Sequence, residues 1–452
     1  MPTTARSAPT VPAALASRPG RRRRPVRRPA LSALALGMLV TVAACGNGGD
    51  DTPATSAPST SSLTPSTPAS TTGSPTASSP SPSRSATAVP PAPTTRQSGS
   101  TQPASCVDRA VSAMSRAQQV GQLFMTAVTS TGMTSAEVTA ISRGRVGSVI
   151  LITHTSGGTS VVKPVTDRVQ TLAPTVKGAR VRMLVSTDQE GGQVQVLNGP
   201  GFSAIPSAVT QGQWSASRLK SSAAQWGRQL KAAGVNMNLA PVGDTVPPDL
   251  VNVNAPIGRL DREFGTNPST VATHSTAFLN GMLQAGVVPT VKHFPGLGRV
   301  TGNTDLSADV VDGTTTRTDP FLQPFRSAIQ AGVPFVMVSS AKYSRIDAAH
   351  QAAFSPAVMR LLRDTLGFKG AIISDDLGKA VAVSDHTPAQ RAVDFLAAGG
   401  TMVLTVTPAD IVPMTSAVIS RMATNTAFRT AVNDSVHRVL TAKRNAGLLT
   451  CG

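Results

Sequence analysis

The sequence predicts an α/β fold for residues 106–452, a (β/α)₈ TIM-type barrel. Short apolar runs rich in β-forming residues recur along this part of the chain. Helical patterns separate most of these runs, and several helical patterns end in Ala-Gly or Gly-Gly just before the next run. Near-continuous apolar strands that alternate with helices are typical of a parallel sheet buried on both faces. Eight such units favour closure into a barrel, and an open doubly wound sheet is the alternative.

The apolar runs give the predicted strands in chain order. They are QLFMTAV at 122–128, GSVILI at 147–152, RMLVST at 182–187, VNMNLA at 235–240, VVPTVKH at 287–293, PFVMVSS at 334–340, GAIISD at 370–375 and TMVLTV at 401–406. Helical stretches such as 215–234 and 268–286 lie between them. No second linker interrupts this part of the chain, so we expect one barrel domain of about 347 residues.

Residues 1–45 have the features of an export signal. An arginine-rich segment precedes the apolar run LSALALGMLVTVAAC, which ends in small residues before Cys45. The run is too short for a stable membrane span. Its last four residues, 42–45, look like a bacterial lipobox, in which Cys45 becomes the lipid-bearing first residue of the mature protein. A simple cleaved signal with a chance cysteine is the alternative.

Residues 46–105 are rich in Ser, Thr, Pro and Ala and contain almost no large apolar side chains. Such a segment cannot bury enough surface to offset the entropy of ordering it, so we expect a disordered linker. Its proline content favours an extended spacer. With a lipid on Cys45, the linker would hold the barrel away from the outer face of the cytoplasmic membrane, in the cell envelope.

The charge of the chain is strongly basic but unevenly placed. The formal net charge is +18, and eight arginines with no acid among them precede Cys45, which leaves +10 for the exported part. This balance favours anionic surroundings such as cell-wall polymers. Export and the lack of a basic stripe interleaved with aromatic residues argue against a nucleic-acid partner. We expect a monomer.

Two cysteines flank the predicted barrel. Cys106 begins it and Cys451 nearly ends it, and in an oxidising compartment we expect them to pair and to join the first and last elements. Two free thiols are the alternative. The six histidines are scattered, with no HExxH and no Cys-His cluster, so we expect neither a metal nor another cofactor.

Polar side chains follow most of the predicted strands at the end where barrel enzymes place their sites. They are Asp188 after the third strand, Asp244 after the fourth, Lys292 and His293 on the fifth, Ser339 and Ser340 on the sixth, and Asp375 with Asp376 on the seventh. Any one of them could be a loop cap or an ion-pair partner. Together they predict one polar pocket at the C-terminal end of the strands.

Four of these segments, DQEGGQVQ, LAPVGD, KHFPG and ISDDL, together resemble the catalytic barrel of glycoside hydrolase family 3. They are most similar to the branch of single-domain bacterial β-N-acetylglucosaminidases that trim peptidoglycan sugars. The resemblance implies a retaining exo-glycosidase. Its substrate would be a terminal β-linked N-acetylglucosamine, or a related β-glycoside, on cell-wall-derived saccharides.

The resemblance also implies roles for single residues. The family's nucleophile falls on Asp375, and strand alternation favours this residue over Asp376. Residues for substrate binding fall on Asp188, Asp244, Lys292 and His293. The family's arginine falls within IGRLDREFG and is assigned to Arg262, with Arg259 as the competitor because the segment carries two extra residues.

The family's acid/base device is altered in this sequence. The resemblance implies an Asp-Ser-His group after the fifth strand, but an ungapped alignment places Asn303, Thr304 and Asp305 there, and Leu297 replaces a further histidine. Three accounts remain open. Asp305 itself is the general acid/base, or another group such as Asp309 or His386 takes the role. In the third account, the barrel is a catalytically weak or inactive lipoprotein that binds wall sugars.

Overall fold

A computed structural model describes residues 104–452 of the chain. The predicted signal peptide at 1–45, the lipidation site Cys45 and nearly all of the predicted linker lie outside these described residues. Within the described part, no helix combines the length and the apolar character that a membrane crossing requires.

Eight strands form a closed barrel in which every neighbouring pair is parallel. They are β1 Phe124–Val128, β2 Ser148–Leu151, β3 Leu184–Thr187, β4 Met237–Asn238, β5 Val288–Phe294, β6 Phe335–Val338, β7 Ala371–Asp376 and β8 Met402–Thr405. Strand β1 pairs with both β2 and β8, which closes the ring. The barrel prediction is therefore confirmed and the open sheet is wrong.

Each predicted strand overlaps one barrel strand, and the largest difference is in β4. The prediction covered 235–240, but the strand contains only Met237–Asn238. Pro241 follows closely and has no backbone N–H to donate to a neighbouring strand, so regular pairing ends early. Strand β5 is the longest of the eight, and all seven of its residues are buried.

Twelve α-helices accompany the strands in the described part of the chain. They are α1 Cys106–Ala113, α2 Arg116–Gly121, α3 Ser135–Gly144, α4 Gly158–Thr171, α5 Ala208–Gln211, α6 Ala216–Ala232, α7 Pro268–Gln284, α8 Gln323–Gln330, α9 Pro356–Arg360, α10 Pro388–Ala398, α11 Ile411–Thr424 and α12 Thr426–Asn445. Their buried faces pack on the barrel and form one continuous hydrophobic core with it.

Local sequence explains where the helices begin and end. Helix α7 starts after Asn267, whose side chain accepts a hydrogen bond from the Thr270 N–H, with Pro268 in the first turn. The Ala-Gly pairs that predicted helix ends lie after α6 and α7. There Gly234 and Gly286 have φ values of 81° and 72°, a conformation that glycine adopts at little cost.

Helix α12 lies across the end of the barrel at which the strands begin, here called the N-terminal face. The Ser435 hydroxyl donates to the Gly400 carbonyl before β8, and Arg438 donates to the Lys369 carbonyl before β7. Lys443, fully buried, donates to the Gly147 carbonyl before β2. The helix therefore closes the floor of the barrel and leaves the opposite end open.

The two ends of the described chain meet at the N-terminal face. Strand Leu449–Cys451 pairs with Ala179–Val181 in a small antiparallel sheet, and Cys451 forms a disulfide with Cys106, the first residue of α1. The structure thus places the two predicted partners together and joins the first helix to the last strand. The bond spans 345 residues of sequence.

Candidate active site

A cavity of about 470 Å³ opens at the C-terminal end of the strands, opposite α12. Six of the residues predicted to form the site line it: Asp188, Arg262, Lys292, His293, Asp305 and Asp375. They come from β5 and β7 and from the segments that follow β3, β4 and β5. The topology of the parallel barrel brings these distant parts of the sequence to one end, as the pattern of polar strand ends predicted.

A network of buried charges forms one wall of this cavity. The Lys292 ammonium lies 2.5 Å from an Asp188 oxygen and 2.6 Å from a Glu190 oxygen. The Arg262 guanidinium donates through Nε and Nη2 to the two Glu190 oxygens, each at 2.8 Å. Such a bidentate pair fixes the plane of the guanidinium as well as its position. Glu190 therefore holds both cations in place.

Glu190, Lys292 and Arg262 remain charged in spite of their burial. Burial by itself would raise the pKa of Glu190, but the charges of Arg262 and Lys292 outweigh it and hold this pKa at about 2. Burial also opposes the charge of Lys292, yet Asp188 and Glu190 raise its pKa above the ordinary value. Asp188 keeps 28% of its side chain exposed, so one of its oxygens is accessible to a ligand in the cavity.

Glu190 is not among the site residues predicted from the sequence, although the sequence carries a signal for it. Glu190 lies two residues after Asp188, and alternation along an extended chain places the side chains of residues i and i+2 on the same side. The chain remains extended here, because Gln189–Gly191 pairs with Val194–Gln195 in a hairpin. In addition, two cations predicted for one pocket require carboxylate partners when they are buried.

The structure distinguishes between the two candidate arginines of IGRLDREFG. Arg262 reaches the cavity wall, where it also donates to the Pro256 carbonyl at 2.7 Å. Arg259 lies in a short 3₁₀ turn, is exposed, and is not among the residues that line the cavity. The register of this segment therefore places Arg262, and not Arg259, at the cavity wall.

Asp244 has a different place from the one expected for a substrate-binding residue. It is fully buried, and its oxygens accept hydrogen bonds from the backbone N–H groups of His293 and Leu297 and from His293 Nδ1. Asp244 does not line the cavity, so it positions His293 rather than contacting a ligand. Because Nδ1–H donates to Asp244, the Nε2 atom of His293 is the acceptor in the neutral ring, and the Arg262 guanidinium lies 3.5 Å from it.

The two neighbouring aspartates at the end of β7 have different surroundings. Asp376 accepts hydrogen bonds from three backbone N–H groups, those of Gly378, Lys379 and Val406, and so shapes the turn after the strand. Asp375 accepts only one within the described structure, from the Asp376 N–H at 2.9 Å. Both side chains reach the cavity, but only the Asp375 carboxylate has an oxygen free of hydrogen bonds to the described protein.

Asp305 lies on the long loop that follows β5. The loop is fixed at its base by Arg299, which donates to Asp319 at 2.6 Å and stacks on the Phe321 ring. Near its tip, the carbonyls of Thr304 and Asp305 accept hydrogen bonds from backbone N–H groups in the segment after β7. These contacts hold the Asp305 side chain over the cavity that Asp375 lines.

Partial burial, followed by the negative charges of Asp375 and Asp376, raises the pKa of Asp305 to about 6. His293 and Arg262 oppose this shift. Residue 305 is exposed in the open cavity, so screening by water weakens the effect there, and a bound sugar that displaces this water would strengthen it. A carboxyl group with this pKa can donate a proton and later accept one near neutral pH.

The competing acid/base candidates lie elsewhere. Asp309 is on the same loop but is exposed and does not line the cavity. His386 packs its ring 4.6 Å from that of Phe354, and its Nδ1 lies 3.2 Å from Asp394. Of these three acid/base candidates, only Asp305 lines the cavity that Asp375 lines.

Comparison with known proteins identifies the family. The family model described as the glycosyl hydrolase family 3 N terminal domain matches residues 116–442. The chain belongs to glycosyl hydrolase family 3. The resemblance found in the sequence is thereby confirmed, and this family 3 chain is a glycoside hydrolase by descent and fold.

Relatives and solved structures agree with this family assignment. A crystal structure of a β-N-acetylhexosaminidase from Beutenbergia cavernae superposes with a TM-score of 0.72 and 42% identity, over 73% of this chain and 99% of that one. Beta-hexosaminidase LpqI of Mycobacterium tuberculosis is 31% identical over 59% of this chain and 69% of its own length. An uncharacterized secreted glycosyl hydrolase of Arthroderma benhamiae is 35% identical over 57% of this family 3 chain and 72% of its own length.

Proposed function

We propose that this family 3 protein is a retaining exo-glycosidase that hydrolyses terminal β-linked N-acetylhexosaminides, N-acetylglucosaminides above all. The observation that carries the proposal is the placement of Asp375 and Asp305 in one cavity, with the pKa of Asp305 raised to about 6. Two carboxyl groups with different surroundings are what glycoside hydrolysis requires. The names of the similar proteins support the class of sugar.

In the first step the two carboxyl groups have different roles, one as acid and the other as nucleophile. Asp305, protonated, gives its proton to the glycosidic oxygen, while the free oxygen of Asp375 attacks C1 of the terminal sugar. The bond from C1 to the glycosidic oxygen breaks, the leaving group departs as an alcohol, and an ester joins Asp375 to the sugar. The backbone N–H of Asp376 keeps the other Asp375 oxygen in a fixed orientation.

In the second step Asp305 acts in the opposite direction. Its carboxylate takes a proton from water, the water oxygen attacks C1, and the ester bond to Asp375 breaks. Asp305 thereby regains its proton and Asp375 its charge. A single carboxyl group with a pKa near neutrality can serve both steps, which makes a carboxylate–imidazole pair on this loop unnecessary.

The charged wall supplies groups that suit sugar hydroxyls and an acetamido group. Asp188 offers a carboxylate oxygen, His293 offers Nε2 as an acceptor, and Lys292 and Arg262 offer N–H donors beside them. Glu190 binds Lys292, and Asp244 binds His293, so these two acids fix the orientation of the groups that face the cavity. A cavity of about 470 Å³ is of the size that takes a small ligand, which fits an enzyme that removes one terminal sugar.

We further propose that the protein acts outside the cytoplasm, anchored by a lipid on Cys45, on saccharides derived from the cell wall. The support is the signal pattern of residues 1–45 and the Ser/Thr/Pro-rich segment 46–105, together with a similar protein described as secreted. A chain in which Cys45 is replaced by Ser should lose metabolic labelling with a fatty acid.

The test of the hydrolytic proposal is turnover of aryl β-N-acetylglucosaminides with good and poor leaving groups. We expect Asp375→Ala to abolish turnover of both. We expect Asp305→Asn to lower turnover of the poor leaving group by about 10² to 10⁴, since general acid catalysis is typically worth that much. With the good leaving group the first step needs little protonation, so Asp305→Asn should carry out that step at a rate close to that of the wild type.

Asp309→Asn is the matched control, since it removes a carboxyl group from the same loop outside the cavity. It should retain the wild-type rates. A wild-type chain that shares one background rate with all three variants would contradict the proposal and favour a barrel that binds sugar without cleaving it. Loss of activity in Asp309→Asn equal to that in Asp305→Asn would contradict the role of Asp305.

A further inference from the structure

The charged residues of the barrel are divided between its two ends. Exposed arginines and lysines are concentrated at the N-terminal face: Arg109, Arg116, Arg143, Arg145, Lys177, Arg180, Arg182, Lys231, Lys369, Arg421 and Arg444. The exposed acids at this face are Asp108, Asp364 and Asp434. Most acids of the described chain instead lie on the loops around the active-site cavity at the opposite end.

With the exception of Arg109, which donates to the Ala104 carbonyl, these cations make no side-chain hydrogen bonds or ion pairs that hold the fold together within the described structure. The side chains of Lys177, Lys231 and Lys369, for example, make no hydrogen bond or ion pair within the described structure, and all three are exposed. Packing therefore does not explain why eleven basic residues meet on one face of a domain whose other end is acidic. A region of exposed positive charge favours contact with an extended anionic surface.

The same face carries apolar surface between its cations. A cavity of about 540 Å³ lies there, with walls that include Ile329 and Phe368, and Lys231 and Lys369 also line it. Leu283, at its edge, is 37% exposed. A hydrophilic polyanion would use only the charges, whereas a lipid bilayer offers anionic headgroups and apolar chains to the same surface.

The position of the chain end supports the bilayer as partner. The described structure begins at Ala104, and the disulfide of Cys106 with Cys451 fixes the start of α1 to the N-terminal face. Whatever precedes residue 104 therefore joins the barrel on its cationic side. The apolar run that ends at Cys45 belongs to this preceding part of the chain.

We propose that the N-terminal face of the barrel is a docking surface for an anionic lipid bilayer, and that docking turns the active-site cavity away from the membrane. The inference goes beyond hydrolysis and does not depend on it. A basic face adds a second, reversible membrane signal to any covalent lipid. This proposal replaces the expectation that the linker holds the barrel away from the membrane. With the face on the bilayer, the cavity at the other end of the barrel opens toward the wall rather than toward lipid.

The test measures vesicle binding by a chain that begins at residue 46 and so carries neither the apolar run nor a lipid. The closed barrel, its core and the disulfide lie within residues 104–452, so this chain keeps the complete fold. The vesicles are phosphatidylcholine with or without phosphatidylglycerol. We expect co-sedimentation with the anionic vesicles only, and release when the salt concentration is raised.

A triple variant of the face, Lys177→Glu, Lys231→Glu and Lys369→Glu, should weaken binding to the anionic vesicles by roughly 100-fold, from the usual contribution of a basic residue at a membrane surface. The matched control reverses three exposed charges away from this face, Arg218→Glu and Lys220→Glu in the first two turns of α6 and Arg345→Glu in the segment after β6. It changes the net charge equally and should reduce binding by less than about threefold, since distant charges are screened. Both variants should keep wild-type turnover.

Three results would overturn the proposal. The first is no binding to anionic vesicles in low salt. The second is equal loss of binding in both triple variants, which would mean that only net charge matters. The third is retention by an immobilised glycerol-phosphate polymer combined with no retention by vesicles, which would assign the face to an anionic wall polymer.

Discussion

At the scale of single residues, the site depends on how neighbouring charges shift one another's pKa values. Glu190 keeps Lys292 and Arg262 charged in a buried wall, while Asp375 and partial burial make Asp305 a weaker acid than an ordinary aspartic acid. The same kind of side chain is thus a fixed anion at position 190 and, in the proposed mechanism, the proton donor at position 305. The difference comes from the sign of the nearest charges.

The raised pKa of Asp305 leads to an expectation for pH dependence. The protonated form acts in the first step, so kcat/KM for a substrate with a poor leaving group should be high below pH 6 and fall about tenfold per pH unit above it. In Asp305→Asn this alkaline limb should disappear, because no proton is lost from position 305. Values of kcat/KM measured at steady state across a pH series test this expectation.

Asp309→Asn again serves as the control and should keep the alkaline limb near pH 6. A limb that survives unchanged in Asp305→Asn would assign the titrating group to another residue. A limb that moves with His386→Gln instead would favour the imidazole as the proton carrier.

The sequence was a good guide to single residues that stand at strand ends, and a poor one to how they divide their roles. Asp188, Lys292, His293 and Asp375 follow apolar strands, so the topology of the barrel assembles them. Which carboxylate touches the sugar depends on contacts between residues far apart in sequence. For that reason Asp244 was expected in the cavity and lies behind His293 instead.

At the scale of elements, the strands could be predicted because a strand buried on both faces must be apolar throughout. The limits of β4 could not be predicted, since they depend on where the neighbouring strands stop pairing with it. The course of α12 across the floor of the barrel was not predicted either. Its buried residues, such as Val432, Val439 and Leu440, indicate a helix with a packed face but do not say which part of the barrel it covers.

Helix α12 carries a buried lysine whose titration can be measured. Lys443 is fully buried, donates to Gln122 Oε1 and the Gly147 carbonyl, and has no carboxylate partner within the described structure. Burial lowers the pKa of Lys443 to about 7. Between pH 7 and the ordinary lysine pKa of about 10.4, the unfolded chain holds a proton that the folded chain has released.

The free energy of unfolding should therefore rise with pH in this window, by up to about 1.4 kcal/mol per unit from Lys443. We expect the difference in stability between pH 7 and pH 9, measured by urea denaturation, to become smaller in Lys443→Met. The exposed Lys220→Met variant is the control and should leave the slope as it is in the wild type. Equal slopes in all three chains would show that Lys443 remains charged in the folded state.

At the scale of the whole molecule, the two ends of the barrel differ in charge and in the features that they carry. The C-terminal end of the strands carries the acidic loops and the cavity, and the N-terminal face carries α12, the disulfide and free cations. Sequence analysis predicted the closed barrel and the pairing partners of the disulfide from local patterns. The separation of charge could not be read from composition, since the net charge of a chain does not say where its charges meet in space.

The measurement that tests the central claim most directly is the mass of the peptide that contains Asp375 after reaction of Asp305→Asn with an activated aryl N-acetyl-β-glucosaminide. The first step needs no acid with this substrate, and the second step lacks its base, so the covalent intermediate should accumulate. We expect one N-acetylhexosamine on that peptide, at Asp375, and none in the double variant with Asp375→Ala. A sugar on a different residue, or continued turnover with no adduct at all, would contradict the account.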